Sequence, residues 1–209
     1  NLAAEGTASG GECWHSTLDV EDAASIQSFM DAVIAHYGHI DVLINNAGYN
    51  KFAKILDYDE RTYDKIINEN LKNVSYCSQI AARQMIKQGA GGSIVNISSQ
   101  ASVVGAPDRG PYSGAKAGVN NLMRTMAAEW AEFGIRVNAV APTVTRSPLA
   151  EQVLKDSPSL AEAVQTKNLL RGDLAEPEEI SAPVIFMTSP AASMITGHTL
   201  VVDGGWTIV

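Results

Sequence analysis

Cysteine is almost absent: Cys13 and Cys77 are the only two in 209 residues, far apart and without metal-ligand spacing. Two buried free thiols are therefore expected rather than a disulfide framework. No apolar run approaches the ~18 residues that crossing a bilayer requires, and no signal sequence opens the chain, which points to the cytoplasm. Positive charge is scarce too, with 15 Lys and Arg against 23 Asp and Glu. The resulting net charge of −8 argues against nucleic acid or an anionic membrane as partner. The four histidines, His15, His36, His39 and His198, show no ligand spacing, so no metal site is expected. Internal repeats and low-complexity tracts are also missing.

What remains is a soluble, moderately charged chain with 45% hydrophobic residues, long enough for one domain that buries roughly 70% of its unfolded surface. The apolar runs Ile40–Ile44, Ser93–Ser99, Ile135–Ala141 and His198–Asp203 read as strands, the first three as buried parallel ones. Cys13–Leu18 reads as a further short strand. Helical periodicity fills the intervals. The first helix has Asp19 or Glu21 near its start, Ile26, Phe29, Met30, Val33 and Ile34 on one face, and Gly38 at its end. A long one runs from Glu60 to Gln88, another from Tyr112 to Phe133, and a last one opens at Glu176 with Pro177 in its first turn. Strand alternating with helix predicts an α/β domain, a doubly wound parallel sheet with helices on both faces. Residues 143–175, irregular and just past a strand end, are the candidate substrate lid. The opening Gly6-Thr-Ala-Ser-Gly-Gly11 mimics a phosphate-binding loop but lacks the strand before it and the helix after it.

The chemistry concentrates in Pro111-Tyr-Ser-Gly-Ala-Lys-Ala117. On a helix, Tyr112 and Lys116 lie one turn apart on one face. A phenol titrates near ~10 in water, so it exchanges protons at neutral pH only if a fixed positive charge supports its anion. Lys116 is placed to supply that charge. Ser99, at the end of the strand thirteen residues before Tyr112, can face the same cleft, because strand ends and helix starts meet at one edge of an open α/β sheet.

Together, Asn45-Asn-Ala-Gly48, Asn70, Ser99, Tyr112-x-x-x-Lys116, Arg136-Val-Asn-Ala-Val-Ala-Pro142 and Val202-Asp-Gly-Gly205 resemble the short-chain dehydrogenase/reductase family, in order and spacing, over nearly the whole chain. The resemblance implies a Rossmann-type fold and hydride transfer between NAD or NADP and a secondary alcohol or ketone. It assigns Tyr112 as acid/base, and Lys116 as the group that lowers its pKa and bonds the nicotinamide ribose. Ser99 becomes a donor to the substrate oxygen, and Asn70 holds a water that links Lys116 to solvent. Asp19 and Val20 would sit by the adenine, Asn46, Ala47 and Gly48 along its ribose and phosphate, and Pro142, Thr145 and Ser147 at the carboxamide. Thr143 departs from the glycine usual after that proline. Similarity to members acting on polyols, ketoses and sugar acids makes those the expected substrates, with 3-oxoacyl thioester reduction as the runner-up. A non-catalytic binding or assembly protein of the same fold is the alternative of another class.

The resemblance also implies a homotetramer, built on the long helices and the final strand. Apolar residues on more than one helix face agree with it, Val74, Cys77, Ile80 and Ala81 in one, Leu122, Met126, Trp130 and Phe133 in the other. In the family's strand order the first two strands lie between Cys13–Leu18 and Ile40–Ile44, and their absence here leaves a gap of ~14 Å. Unpaired groups buried there would cost on the order of 1–3 kcal/mol each. Roughly 40 further residues before Asn1, with a strand and a Gly-rich turn, are thus expected. The alternative is direct pairing of Cys13–Leu18 with Ile40–Ile44 in a rearranged sheet.

Overall fold

The structure is a computed structural model that describes residues 10–209. Most of the Gly-rich opening, Gly6 to Gly11, therefore lies outside the described residues. Four strands, β1 (Val42–Asn45), β2 (Gly92–Ile97), β3 (Ile135–Pro142) and β4 (Thr199–Val202), form one parallel sheet in the order β1-β2-β3-β4. Among the described residues seven α-helices surround it: α1 (Ala23–Tyr37), α2 (Glu60–Ile67), α3 (Asn73–Gln88), α4 (Gly110–Trp130), α5 (Pro148–Asp156), α6 (Pro158–Lys167) and α7 (Pro177–Thr188).

Period-two alternation decides which strand residue meets which helix layer. Ile94, Ile135, Val137 and Ala139 pack on one face with Ile26 and Met30 of α1, Ala81 and Met85 of α3, and Met123 and Met126 of α4. Val95 and Val140 point the other way, into Ile180, Val184 and Met187 of α7. A third cluster, Leu160, Val164, Leu174 and Trp206, ties the 143–175 segment to the chain's end. The expected doubly wound layering is thus present, and the four strands predicted from apolar runs pair at Val42↔Ser93, Val95↔Asn138 and Val140↔Leu200.

The first strand expected, Cys13–Leu18, is absent. No strand among the described residues offers it hydrogen bonds, and the segment lies instead along α1. There the Trp14 N–H donates to the Tyr37 hydroxyl at 3.0 Å, the Trp14 ring stacks on His36, and Leu18 packs on the core. Direct pairing with β1 is excluded for the same reason. The outer edge of β1 is open among the described residues, and its Val42 and Ile44 are 43% and 46% exposed. Cys77 is buried as expected, whereas Cys13 is exposed; both are free.

The helix ends follow side-chain chemistry. Asp22, not Asp19 or Glu21, caps α1 by accepting from the Ala24 N–H at 2.9 Å, while Asp19 accepts from Glu21. Gly38 closes α1 at φ 79°, where a β-carbon would be strained. In α7, Glu176 and Glu179 form a reciprocal capping box, and the helix continues through Pro183 to Thr188. The expected single helix Glu60–Gln88 is interrupted at Asn68–Lys72 by a π-helical turn, in which the Asn73 N–H bonds back to the Asn68 carbonyl. Part of the apolar surface of α3 and α4 is covered within the chain, because Val74, Cys77, Ala81 and Met126 are buried. Tyr76, Ile86 and Phe133 remain exposed.

Asn138 fastens β3 to the segment that leads into β4. Fully buried, it donates to the Ile195 carbonyl at 2.8 Å and accepts from the His198 N–H at 3.1 Å. Asn138→Leu keeps the volume but strands the His198 N–H and leaves the Ile195 carbonyl only its 3.3 Å bond from Arg136, so a loss of about 1–3 kcal/mol in urea unfolding is expected. A loss below about 0.5 kcal/mol would show that the clamp does not matter.

Candidate active site

Because every strand is parallel, all four end at one edge of the sheet, and three loops leave it together. They are Asn46–Gly48 after β1, Ser98–Ser99 after β2 and Thr143–Ser147 after β3. Between them and the start of α4 lies a cavity of about 400 Å³. Gly48, Tyr49 and Asn50 line it on one side, Ser99 and Gln100 at the base, Arg109 and Tyr112 from α4. Thr143, Val144 and Ser147 line the far side, and Leu149, Val153 and Leu160 of α5 and α6 close over it. The 143–175 segment, irregular by sequence, contains these two short helices.

Ser99, Tyr112 and Lys116 come together as the spacing predicts. Ser99 has extended backbone and caps the one-turn helix Gln100–Ser102, its hydroxyl accepting from the Ala101 N–H at 3.2 Å. Lys116 is only 4% exposed, and its ammonium donates to the Ile97 carbonyl at 2.8 Å and sits 5.6 Å from the centre of the Tyr112 ring. Burial alone pulls its pKa down to about 8. Burial pushes the Tyr112 phenol above its ordinary value, opposed by a hydrogen bond with Ser99 and by the charge of Arg109. The opposing charge is thus supplied by Arg109, where the sequence alone offered only Lys116. Chemically the cluster is a phenol and a hydroxyl lining one cavity, with a buried ammonium against the phenol ring, a set that can pass a proton to or from an oxygen held there.

Asn70 sits in the π turn, fully buried. Its amide N–H groups donate to the Tyr49 carbonyl at 2.6 Å and the Ile66 carbonyl at 2.8 Å, so it straps the loop after β1 to α2. Its Oδ1 is buried without a partner. Gly48 lies directly against this group: a β-carbon there would come within 2.6 Å of Asn70 Oδ1 and 3.6 Å of Lys116 Nζ. π turns recur at functional sites because the extra residue re-aims a side chain, here Asn70.

A nicotinamide cofactor fits the residues present at this end. Gly48 leaves backbone space beside Lys116, and Asn70 Oδ1 is an orphaned buried acceptor. Asn46 and Ala47 are exposed beside it at the end of β1, and Ser147 lines the cavity while capping α5. Asp19 and Val20, and on the other side Pro142 and Thr145, do not line the cavity. Thr143, a departure from the family pattern, is 8% exposed, lines the cavity, and donates its N–H to the Val202 carbonyl at 3.0 Å. Asn45, part of the Asn45–Gly48 motif but given no role from the sequence, donates to Ser78 and to Asn96 Oδ1 at 3.0 and 2.8 Å, locking β1 to β2 and α3. Arg109 and Gln100 were also missed; the only signal was a cation three residues before Tyr112.

Known proteins match this geometry along the whole chain. A family model described as enoyl-(acyl carrier protein) reductase matches residues 1–207. The 2-dehydro-3-deoxy-D-gluconate 5-dehydrogenase of Escherichia coli (strain K12) is 36% identical over 190 residues, 91% of this chain and 74% of that protein. D-threitol dehydrogenase of Mycolicibacterium smegmatis is 39% identical over 91% of this chain and 72% of its own length. The 3-oxoacyl-[acyl-carrier-protein] reductase of Thermotoga maritima is 38% identical over 91% and 76%. Among solved structures, a gluconate 5-dehydrogenase from Burkholderia cenocepacia in complex with NADP and tartrate superposes with a TM-score of 0.92. It is 31% identical and covers 100% of this chain and 80% of that one. With Ser99, Tyr112, Lys116 and Asn70 gathered at the strand ends and these relatives on both sides, the chain belongs to the short-chain dehydrogenase/reductase family, oxidoreductases that use NAD or NADP on CH–OH groups.

Proposed function

We propose that this chain interconverts a secondary alcohol and its ketone on a polyol, ketose or sugar acid, with Tyr112 as acid/base. The observation that carries the reading is that Tyr112 and Ser99 line one cavity at the strand ends, with the buried Lys116 ammonium packed against the Tyr112 ring. Bound there, the nicotinamide supplies or accepts the hydride. Ser99 donates to the substrate oxygen, where negative charge grows during the transfer. Tyr112 moves the proton to or from that oxygen, and the Lys116 and Arg109 charges stabilise its anion. Asn70 Oδ1 holds the water through which the proton reaches solvent; this would satisfy an acceptor otherwise orphaned. Gly48, with Asn46, Ala47, Ser147, Thr145 and Pro142 around it, holds the cofactor, and Asp19 and Val20 hold its adenine end. Residues 143–175 act as the lid, since Leu149, Val153 and Leu160 can cover bound substrate with apolar surface.

The similarity to dehydrogenases of sugar acids and polyols supports this substrate class, and the similarity to a 3-oxoacyl reductase keeps thioester reduction as the second reading. A cytoplasmic location agrees with the chain's acidic surface, and no helix among the described residues is long and apolar enough to cross a membrane. A homotetramer would cover the apolar residues that the fold leaves open on the long helices and near the end, Tyr76, Ile86, Phe133 and Ile208.

Tyr112→Phe removes only the transferable proton, so turnover on a panel of polyols, ketoses, sugar acids and an acetoacetyl thioester should drop about 10²–10⁴-fold with unchanged circular dichroism. An active Tyr112→Phe enzyme refutes the assignment, and activity on the thioester alone refutes the sugar class. Light scattering at micromolar concentration should give four times the chain mass; a monomer contradicts the tetramer.

A further inference from the structure

Arg109 is the residue before the first turn of α4, and its side chain is 9% exposed. A charge taken so far out of water ordinarily has an anionic partner. Here it has none among the described residues. The adjacent Asp108 carboxylate is engaged by Lys54 at 2.7 Å. Arg109 Nε is buried with no acceptor, and one face of the guanidinium lies 5.4 Å from the centre of the Phe52 ring. Arg109 lines the same cavity as Tyr112 and Ser99, and also borders a neighbouring cavity of about 260 Å³. Gln100 lines both of these cavities too, and its Oε1 is a second buried polar atom without a partner.

A desolvated guanidinium with an aromatic ring near it and a cavity beside its residue matches a carboxylate, which takes two parallel N–H bonds in one plane. A buried acceptor such as Gln100 Oε1, from a residue lining the same cavity, matches a hydroxyl on the same molecule. We propose that Arg109 binds the carboxylate of the substrate, which makes the substrate a hydroxy acid or its keto form rather than a neutral polyol or a thioester. This rests on the reading of Tyr112 and Ser99 given above, since it places the anion in their cavity. Burial depresses the Arg109 pKa, opposed by the negative charge that Tyr112, Asp108 and Tyr58 can carry, and a bound carboxylate would oppose it further.

The test pairs C3–C6 hydroxy acids, D-gluconate among them, with the neutral alditol of the same length, in the wild type, Arg109→Gln and Arg109→Lys. In the wild type kcat/KM should favour the acid. Arg109→Gln should collapse the acid-to-alditol ratio on the order of 100-fold, through KM more than kcat, and Arg109→Lys should restore part of it. The ratio is the proper readout, because the influence of Arg109 on Tyr112 acts on both substrates alike and cancels. Calorimetry with the acid and no nicotinamide should show binding that weakens by a similar factor in Arg109→Gln. A wild type that prefers the alditol, or a ratio unchanged in Arg109→Gln, overturns the proposal. If neither class is turned over, the dehydrogenase reading fails and calorimetry decides alone: binding lost in Arg109→Gln supports the carboxylate site, and no binding to the wild type overturns it. If Arg109→Gln does not fold, the acid-to-alditol ratios of Arg109→Lys and the wild type decide: a lower ratio in Arg109→Lys supports the carboxylate site, and equal ratios overturn it.

Discussion

One buried ammonium organises this end of the molecule. Lys116 leaves water almost entirely, and that desolvation is offset by few contacts: the Ile97 carbonyl at 2.8 Å and the face of the Tyr112 ring. Those contacts require the last residue of β2 and the first turns of α4 to stand in one fixed relation. Ser98 reinforces it, donating its hydroxyl to the Lys116 carbonyl at 3.4 Å and its N–H to the Val140 carbonyl of β3 at 2.7 Å. The loop after β1 must come close on the other side, which is why position 48 has no room for a side chain. Sheet, helix and loop are thus held in register by the same groups to which the proposed function gives the chemistry, and the low dielectric that makes Lys116 costly also strengthens the field of its charge.

The parts of the fold legible in the sequence were those fixed by local periodicity. Ile94 and Val95, adjacent in one apolar run, announce a strand buried on both faces, and Ile26, Met30 and Val33 a helix by their spacing. Cys13–Leu18 failed because a strand exists only when a neighbour accepts its hydrogen bonds, and nothing in six residues states whether one is there. Trp14 found an alternative partner in Tyr37 instead. The π turn at Asn68–Lys72 was invisible for a related reason: one extra residue in a helical turn leaves the periodicity on either side intact.

The site divides in the same way. Tyr112 and Lys116 are one turn apart, so their meeting follows from helix geometry, and Ser99 follows from the sheet's edge. Arg109 was illegible because a charged residue among Pro107, Asp108 and Gly110 reads as an exposed loop. Only the packing of Phe52 and the diversion of Asp108 to Lys54 show it buried and unpaired. Asn70 was found by resemblance, but its strapping of Tyr49 to Ile66 could come only from coordinates.

Lys116 works here as a buried cation, and its depressed pKa gives that role a sign. In the folded chain it loses its proton near pH 8, against 10.5 for the free side chain. Between those values the unfolded chain holds a proton that the folded one has released, so this group's contribution makes stability rise with pH while the charge that the proposed function uses disappears. The decisive measurement is the pH dependence of kcat/KM for ketone reduction, with stability followed in parallel. A buried Lys116 cation predicts a fall in kcat/KM above about pH 8 while the protein stays folded; a rate constant flat to pH 10 would contradict it.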